Sequence, residues 1–159
     1  MYKRPLLADG LRPPDRWGGP DWLARPLRLS DAEADFAAVQ ASADRLRGWM
    51  NPDSAWPDGL TLHENKVDLG WHEREFTTGN SYAWTLIRRA EVVGCSYLDP
   101  SDREGFTAMA FWWLRTGHEG LDDAVGSAFR ALIAGLGITC AFPGRDQTRV
   151  EWQAKSVRR

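Results

Sequence analysis

The stretch from Phe106 to Arg115, Phe-Thr-Ala-Met-Ala-Phe-Trp-Trp-Leu-Arg, is apolar for almost its whole length. A run that short and continuous predicts a strand covered on both faces, so the chain must place packing layers above and below a central sheet. One layer is legible directly downstream. From Ala124 onward, Val125, Ala128, Phe129, Leu132, Ile133 and Leu136 recur at the spacing of a helix with one buried stripe.

The flanking elements follow from local chemistry. Ser81 to Arg88 and Glu91 to Leu98 are rich in strand formers and flank a tight turn at Arg89-Ala90, which predicts a hairpin. Before it stand two capping boxes, Ser30-Asp31-Ala32-Glu33 and Thr61-Leu62-His63-Glu64. The first is expected to open a helix running to about Trp49, with Phe36, Val39, Ala43 and Leu46 on one face. The second opens a helix to about Thr77, closed by Gly79-Asn80. Trp22 to Leu29 reads as a first strand in which Pro26, lacking an amide hydrogen, requires an edge position or a bulge. Ile138 to Phe142 gives a last short strand, stopped by Pro143-Gly144, and the tail is expected to pack Trp152 and fray beyond it.

The expected fold class is therefore α/β (α+β), a mixed, mostly antiparallel sheet flanked by helices in the order β-α-α-β-β-β-α-β. Residues 22–159 form a single domain behind an irregular arm, residues 1–21, rich in proline and glycine. The 22 acidic and 20 basic residues are spread along the chain, leaving no basic block to neutralise a run of phosphates, so no nucleic-acid partner is expected. No apolar run has the length of a signal peptide or membrane helix, which points to the cytoplasm and away from a membrane. Cys95 and Cys140 sit in apolar runs and are expected as buried, reduced thiols, and the nine Trp chiefly as core.

Three stretches carry a resemblance to a known family: Arg25-Pro26-Leu27 leading into Ser30-Asp31, the segment Val93-Gly94-Cys95-Ser96-Tyr97-Leu98-Asp99-Pro100, and Trp112-Trp113-Leu114-Arg115. In order and spacing, over about Trp22 to Phe142, the chain resembles the GNAT superfamily of acyl-CoA-dependent N-acetyltransferases. The resemblance implies a GNAT-like fold whose central strand splays from the next one, with acetyl-CoA as co-substrate lying in the gap. Pairing to the pantetheine arm would fall to Trp112, Trp113, Leu114 and Arg115. The diphosphate would fall to the turn that follows, through Arg115, Gly117, His118 and Gly120, whose amides precede a helix start.

The chain also departs from the family pattern. His118 stands where the first glycine of the diphosphate turn belongs, and Glu119, Asp122 and Asp123 surround the helix start with carboxylates. No carboxylate lies within Phe106 to Leu114, no Tyr follows Tyr97, and the C-terminal part is short, so that the family's last helix and hairpin are expected to be truncated. An exposed sheet edge would then need cover, and a homodimer is expected.

An alkylammonium has no lone pair to attack with, so amine acylation needs a proton acceptor. His72 and Glu73 on the second helix are the candidate bases, and Tyr97 is the remaining catalytic candidate. Steps of four also put Glu64, Asp68 and His72 on one helix face, but the spacing lacks a zinc signature and no metal site is expected. Tyr82, Trp84 and Tyr97 on the hairpin are cross-strand packing or the wall of an acceptor pocket. Cys140 reads as inert core. Arg145 either reaches a phosphate at the mouth of the splay or makes a salt bridge to Asp146 or a neighbour. The functional expectation is an acetyl-CoA-dependent N-acetyltransferase acting on a small-molecule or peptide amine. The alternative is a non-catalytic binding or dimerisation module that has lost acyl-CoA chemistry.

Overall fold

A computed structural model describes residues 4–158. Six strands form one sheet in sequence order: β1 (Trp17–Gly18), β2 (Leu23–Pro26), β3 (Tyr82–Arg88), β4 (Glu91–Pro100), β5 (Ala108–Leu114) and β6 (Cys140–Ala141). Neighbours are antiparallel except β5 and β6, which run parallel. A parallel pair needs a crossover, and the crossover is helix α4 (Asp122–Ala134). Helices α1 (Ala32–Ala41), α2 (Ala43–Leu46) and α3 (Leu62–Thr78) lie between β2 and β3, and a short α5 (Arg149–Ala154) follows β6. Among the described residues no helix is long and apolar enough to cross a membrane.

The strand period divides the core into two layers. On one face Trp84, Leu86, Ala110, Trp112 and Leu114 pack with Val125, Phe129 and Ile133, the buried stripe of α4. On the other, Cys95 and Trp113 pack with Ala38, Val39, Leu46 and Leu69 from α1, α2 and α3. Tyr82 and Trp84 belong to the first layer, stacked at 6.0 Å with Phe76 edge-on to both, so their packing role is the one the structure adopts. The hairpin turn falls at Arg89 and Ala90, both with positive φ, as a two-residue turn matched to strand twist requires. Gly94 is fixed by a close approach, because a Cβ there would lie 2.1 Å from the Trp113 carbonyl oxygen.

Several boundaries differ from expectation for identifiable reasons. The Ser30 box does not form. Asp31 ends a 3-10 turn (Leu29–Asp31), and its carboxylate accepts from the Arg28 amide at 2.9 Å and from the Arg25 guanidinium at 2.7 and 2.9 Å. The first helix does not reach Trp49. It breaks at Ser42, whose hydroxyl donates back to the Ala38 carbonyl at 2.8 Å, and Gly48 turns the chain with φ of 72°. Inside the arm, β1 adds two residues to the sheet. They pair only with Leu23 and Ala24, so Pro26 has no strand beside it on that side. Residues 1–3 of the arm lie outside the described residues. The tail does not simply fray: Thr148 and Glu151 make a reciprocal capping box that starts α5 and buries Trp152.

Candidate active site

The sheet opens at the C-terminal end of β5. Arg115 N donates to Val93 O at 2.7 Å and Ser101 N to Thr107 O at 3.0 Å. By antiparallel alternation Phe111 and Trp113 therefore turn their main chain to β4, and Trp112 and Leu114 turn theirs to the opposite edge. The two-residue strand β6 reaches only Ala108 and Met109. Beyond it the main-chain groups of Trp112 and Leu114 border a gap.

Three arginines stand around that gap. Arg45 of α2 donates to the Leu114 carbonyl at 2.9 Å and lies 3.5 Å from the Glu119 carboxylate. Arg145 stacks 4.1 Å above the Trp112 ring and makes its salt bridge to Asp122, while Asp146, the other partner considered, pairs with Arg130. Arg149 is 5.3 Å from the Trp49 ring centroid, and burial together with nearby Arg145 pulls its pKa down.

The turn after β5 is not an open nest of amides. Thr116 N donates to Ser42 Oγ at 3.0 Å, His118 N to Arg115 O at 2.9 Å, and Gly117 N to Glu119 Oε2 at 2.7 Å. Hydrogen bonds from the Glu119 and Gly117 amides hold the Glu119 carboxyl below its ordinary range. Arg115 and His118 face Glu91 at 3.6 and 3.9 Å, on the hairpin side. Gly120 sits in the 3-10 turn that leads into α4. Of the residues proposed for the diphosphate, only Gly117 thus presents its amide to an anion, and that anion is the chain's own carboxylate.

On the other face of β5 lies a cavity of about 360 Å³ between the sheet, α1, α3 and the loop after α2. Its floor holds Tyr97, Phe111 and Trp113, and Trp49, Trp56, Asp35, Asp68 and His72 are among its other lining residues. Trp49 lines the cavity, contacts Phe111 at 6.0 Å and also meets Arg149, so it borders both the cavity and the arginine-lined gap. His72 lines the cavity from α3, whereas Glu73 does not; its carboxylate accepts from the Leu29 amide at 3.0 Å. Tyr97 OH accepts from Trp113 Nε1 at 3.2 Å.

Burial sets the protonation chemistry. It lowers His72 from 6.5 to about 4, against the opposing pull of Glu75, so the imidazole is neutral at pH 7. It raises Asp35, which is 3% exposed, although Asn65 Nδ2 (3.0 Å) and Cys95 Sγ (3.5 Å) donate to its carboxylate and partly oppose the shift. Asp68 is raised by burial and by Glu64. Tyr97 and Cys95 are pushed well above their usual values, chiefly by burial, and Cys140 is pushed up to about 12, so both thiols are protonated at pH 7. Glu64 caps α3 by accepting from Thr61 N at 2.8 Å, and among the described residues no three His, Cys, Asp or Glu side chains gather to hold a metal.

Sequence reasoning missed Asp35, Arg45 and Trp49. A signal existed for the first. Asp35 shares its helical stripe with Val39 and the buried Ser42 and Leu46, and a carboxylate on a buried stripe is the informative exception.

No family model and no curated protein sequence matches this chain. Solved structures do. RimL, a ribosomal L7/L12 alpha-N-protein acetyltransferase in complex with coenzyme A, superposes with a TM-score of 0.61 at 15% identity, over 74% of this chain and 64% of that one. A Bordetella pertussis protein described as a GNAT-family acetyltransferase gives 0.58 at 17%, over 77% and 72%. The microcin C7 self-immunity acetyltransferase MccE, in complex with acetyl-CoA and AMP, gives 0.60 at 13%, over 75% and 64%. The chain spans less than two thirds of the RimL and MccE lengths. Its fold is the GNAT fold.

Proposed function

We propose that the protein is an acetyl-CoA-dependent N-acetyltransferase acting on an amine. The observation that carries the reading is the arrangement around the end of β5. Next to Trp49 lie a strand edge with three arginines, of which Arg45 already holds the Leu114 carbonyl and pairs with Glu119 and Arg145 pairs with Asp122, and a cavity with carboxylates and a neutral imidazole. An anionic thioester donor suits the first and an amine the second. The main-chain groups of Trp112 would position the donor, and Arg149, with Arg45 and Arg145 once they exchange their Glu119 and Asp122 partners, would meet its phosphates.

In the transfer, the amine nitrogen forms the new C–N bond, the C–S bond breaks, and sulfur leaves with the electron pair. An acceptor that arrives as an ammonium first gives one proton to water and so frees its lone pair. The proton lost as the C–N bond forms goes to the Asp35 carboxylate, whose raised pKa brings it nearer the working pH, and neutral His72 orients the amine by accepting a hydrogen bond. Tyr97, protonated at neutral pH, lies beside both groups in the cavity floor.

A second reading has its own observation. Glu119 occupies the Gly117 amide and Arg115 is turned to Glu91, as in a module that has lost acyl-CoA binding. Calorimetric titration with acetyl-CoA and CoA separates the two. Micromolar binding that Arg145→Ala weakens at least tenfold is expected, followed by thiol release with amines. No heat up to millimolar ligand from folded protein would leave the non-catalytic reading.

A further inference from the structure

We propose that the cavity between α1, α3 and the sheet selects a compact organic ammonium ion with an aromatic or branched apolar body and no carboxylate near its nitrogen. The proposal rests on the acetyltransferase reading only in naming this ion as the acyl acceptor; the cavity's chemistry stands without it.

Size comes first. About 360 Å³ lies at the lower end of ligand pockets, room for one small molecule rather than an extended chain. The walls decide the body. Trp49, Trp56, Phe111 and Trp113 present ring surface, and Phe111 and Trp113 are themselves 5% and 4% exposed, seated in the packed core. A hydroxyl-rich acceptor would leave unpaired whichever polar groups it turned to those rings, the polar lining being gathered at Asp35, Asn51, Ser54, Asn65, Asp68 and Asp99. An apolar body loses nothing there.

Charge decides the head group. Among the described residues the formally charged ones lining the cavity are Asp35, Asp68 and Asp99, with no Lys or Arg among them, and His72 adds no positive charge. That one-sided set stands out in a chain with 22 acidic and 20 basic residues. Asp35 is the fixed member, its carboxylate held on one side by Asn65 and on the other by Cys95. Asp68 lies on exposed α3 surface at the rim, where it meets an approaching cation first. Carboxylates with aromatic faces attract ammonium by charge and by the ring quadrupole together. The same carboxylates repel a free amino acid, whose own carboxylate would enter beside its amine. The pocket therefore accepts phenethylamine and rejects phenylalanine, although the two share a ring and a nitrogen.

Binding without any CoA present provides the test. Tryptophan fluorescence and calorimetry are read during titration with phenethylamine, phenylalanine, 2-phenylethanol and glucosamine. Phenethylamine is expected to bind at least tenfold more tightly than each of the other three. Asp35→Asn is expected to weaken it about tenfold. Asp68→Asn, on exposed helix surface and harmless to folding, is expected to weaken it about threefold. Equal binding of phenylalanine, or no effect of either substitution in folded protein, overturns the proposal. Amine binding with no CoA binding sinks the acetyltransferase reading and leaves the pocket. Turnover confined to peptides or hydroxylated amines does the reverse.

Discussion

Asp35 and His72 face one cavity and are moved in opposite directions by the same cause. Desolvation penalises whichever form is charged, so it raises the carboxyl and lowers the imidazole. The unfolded chain protonates His72 near 6.5 and the folded chain only near 4. Between those values the unfolded state binds more protons, so the stability gained from a neutral His72 is complete above pH 6.5 and lost as the pH falls toward 4. Asp35 works with the opposite sign, its contribution fading as the pH rises through its folded value. His72→Gln should therefore flatten the acid limb of stability: between pH 7 and pH 4.5 the natural chain should lose about 2 kcal/mol more than the variant in urea denaturation. Equal losses would mean that His72 stays hydrated. The sequence placed His72 on a helix face but could not say which face met the sheet. Glu73, one residue on, projects about 100° away and became a cap for Leu29.

At the scale of elements, local signals were legible where the partner group lies a few residues away. Thr61 and Glu64 cap α3 as their spacing predicts, and Arg89-Ala90 turns the hairpin. The break at Ser42 was not legible, because the same hydroxyl also accepts from the Thr116 amide 74 residues on, a contact only the folded sheet creates. Helix α5 carries the same Thr-x-x-Glu signature as α3 but only six residues, too few for periodicity to register. Helix α4 has a buried glycine with a similarly distant cause. In an exposed helix Gly126→Ala would stabilise by about 1 kcal/mol. Here the new Cβ would lie 2.8 Å from the Trp112 ring, so a loss of about 1–3 kcal/mol is expected, read as a lower thermal midpoint. Trp112 is also the ring under Arg145, and the variant should weaken CoA binding along with stability. In the turn after β5, Glu119 holds the Gly117 amide and contacts Arg45. Glu119→Gln removes a resident negative charge from that turn, and CoA should bind about threefold more tightly by calorimetry, a modest gain because the charge is exposed and screened. Unchanged affinity would place the diphosphate elsewhere.

For the whole molecule, the order of elements was legible because the hairpin strands, the central strand, α3 and α4 each carry their own local signal, whereas β1 and the break at Ser42 carry none and α5 is too short to show periodicity. The site stayed hidden because it is built from four separate segments that meet only around β5. A homodimer was expected from an open sheet edge, yet the two terminal strands are two residues each, and the tail folds back so that Arg158 reaches the carbonyls of Ser101 and Phe106. Two residues offer a second copy little to pair with. Light scattering at micromolar concentration should accordingly give the mass of one chain, 17.9 kDa. The larger consequence of the architecture is electrical. Arg45, Arg145 and Arg149 lie near the β5 edge, the first two paired with Glu119 and Asp122, and Asp35 of α1 and Asp68 of α3 line the cavity, with Trp49 bordering both, so the two proposed ligands would meet different charge surroundings. The two surroundings differ in exposure. The Arg45–Glu119 pair is 45% exposed on both sides and open to salt, whereas Asp35 is buried and screened less. Raising sodium chloride from about 0.05 M to about 0.5 M shortens the screening length from roughly 14 Å to roughly 4 Å. CoA affinity should then fall about tenfold or more while phenethylamine affinity changes less than about threefold. Parallel falls in the two affinities would show that the ammonium is read at the rim by Asp68 and does not descend to Asp35.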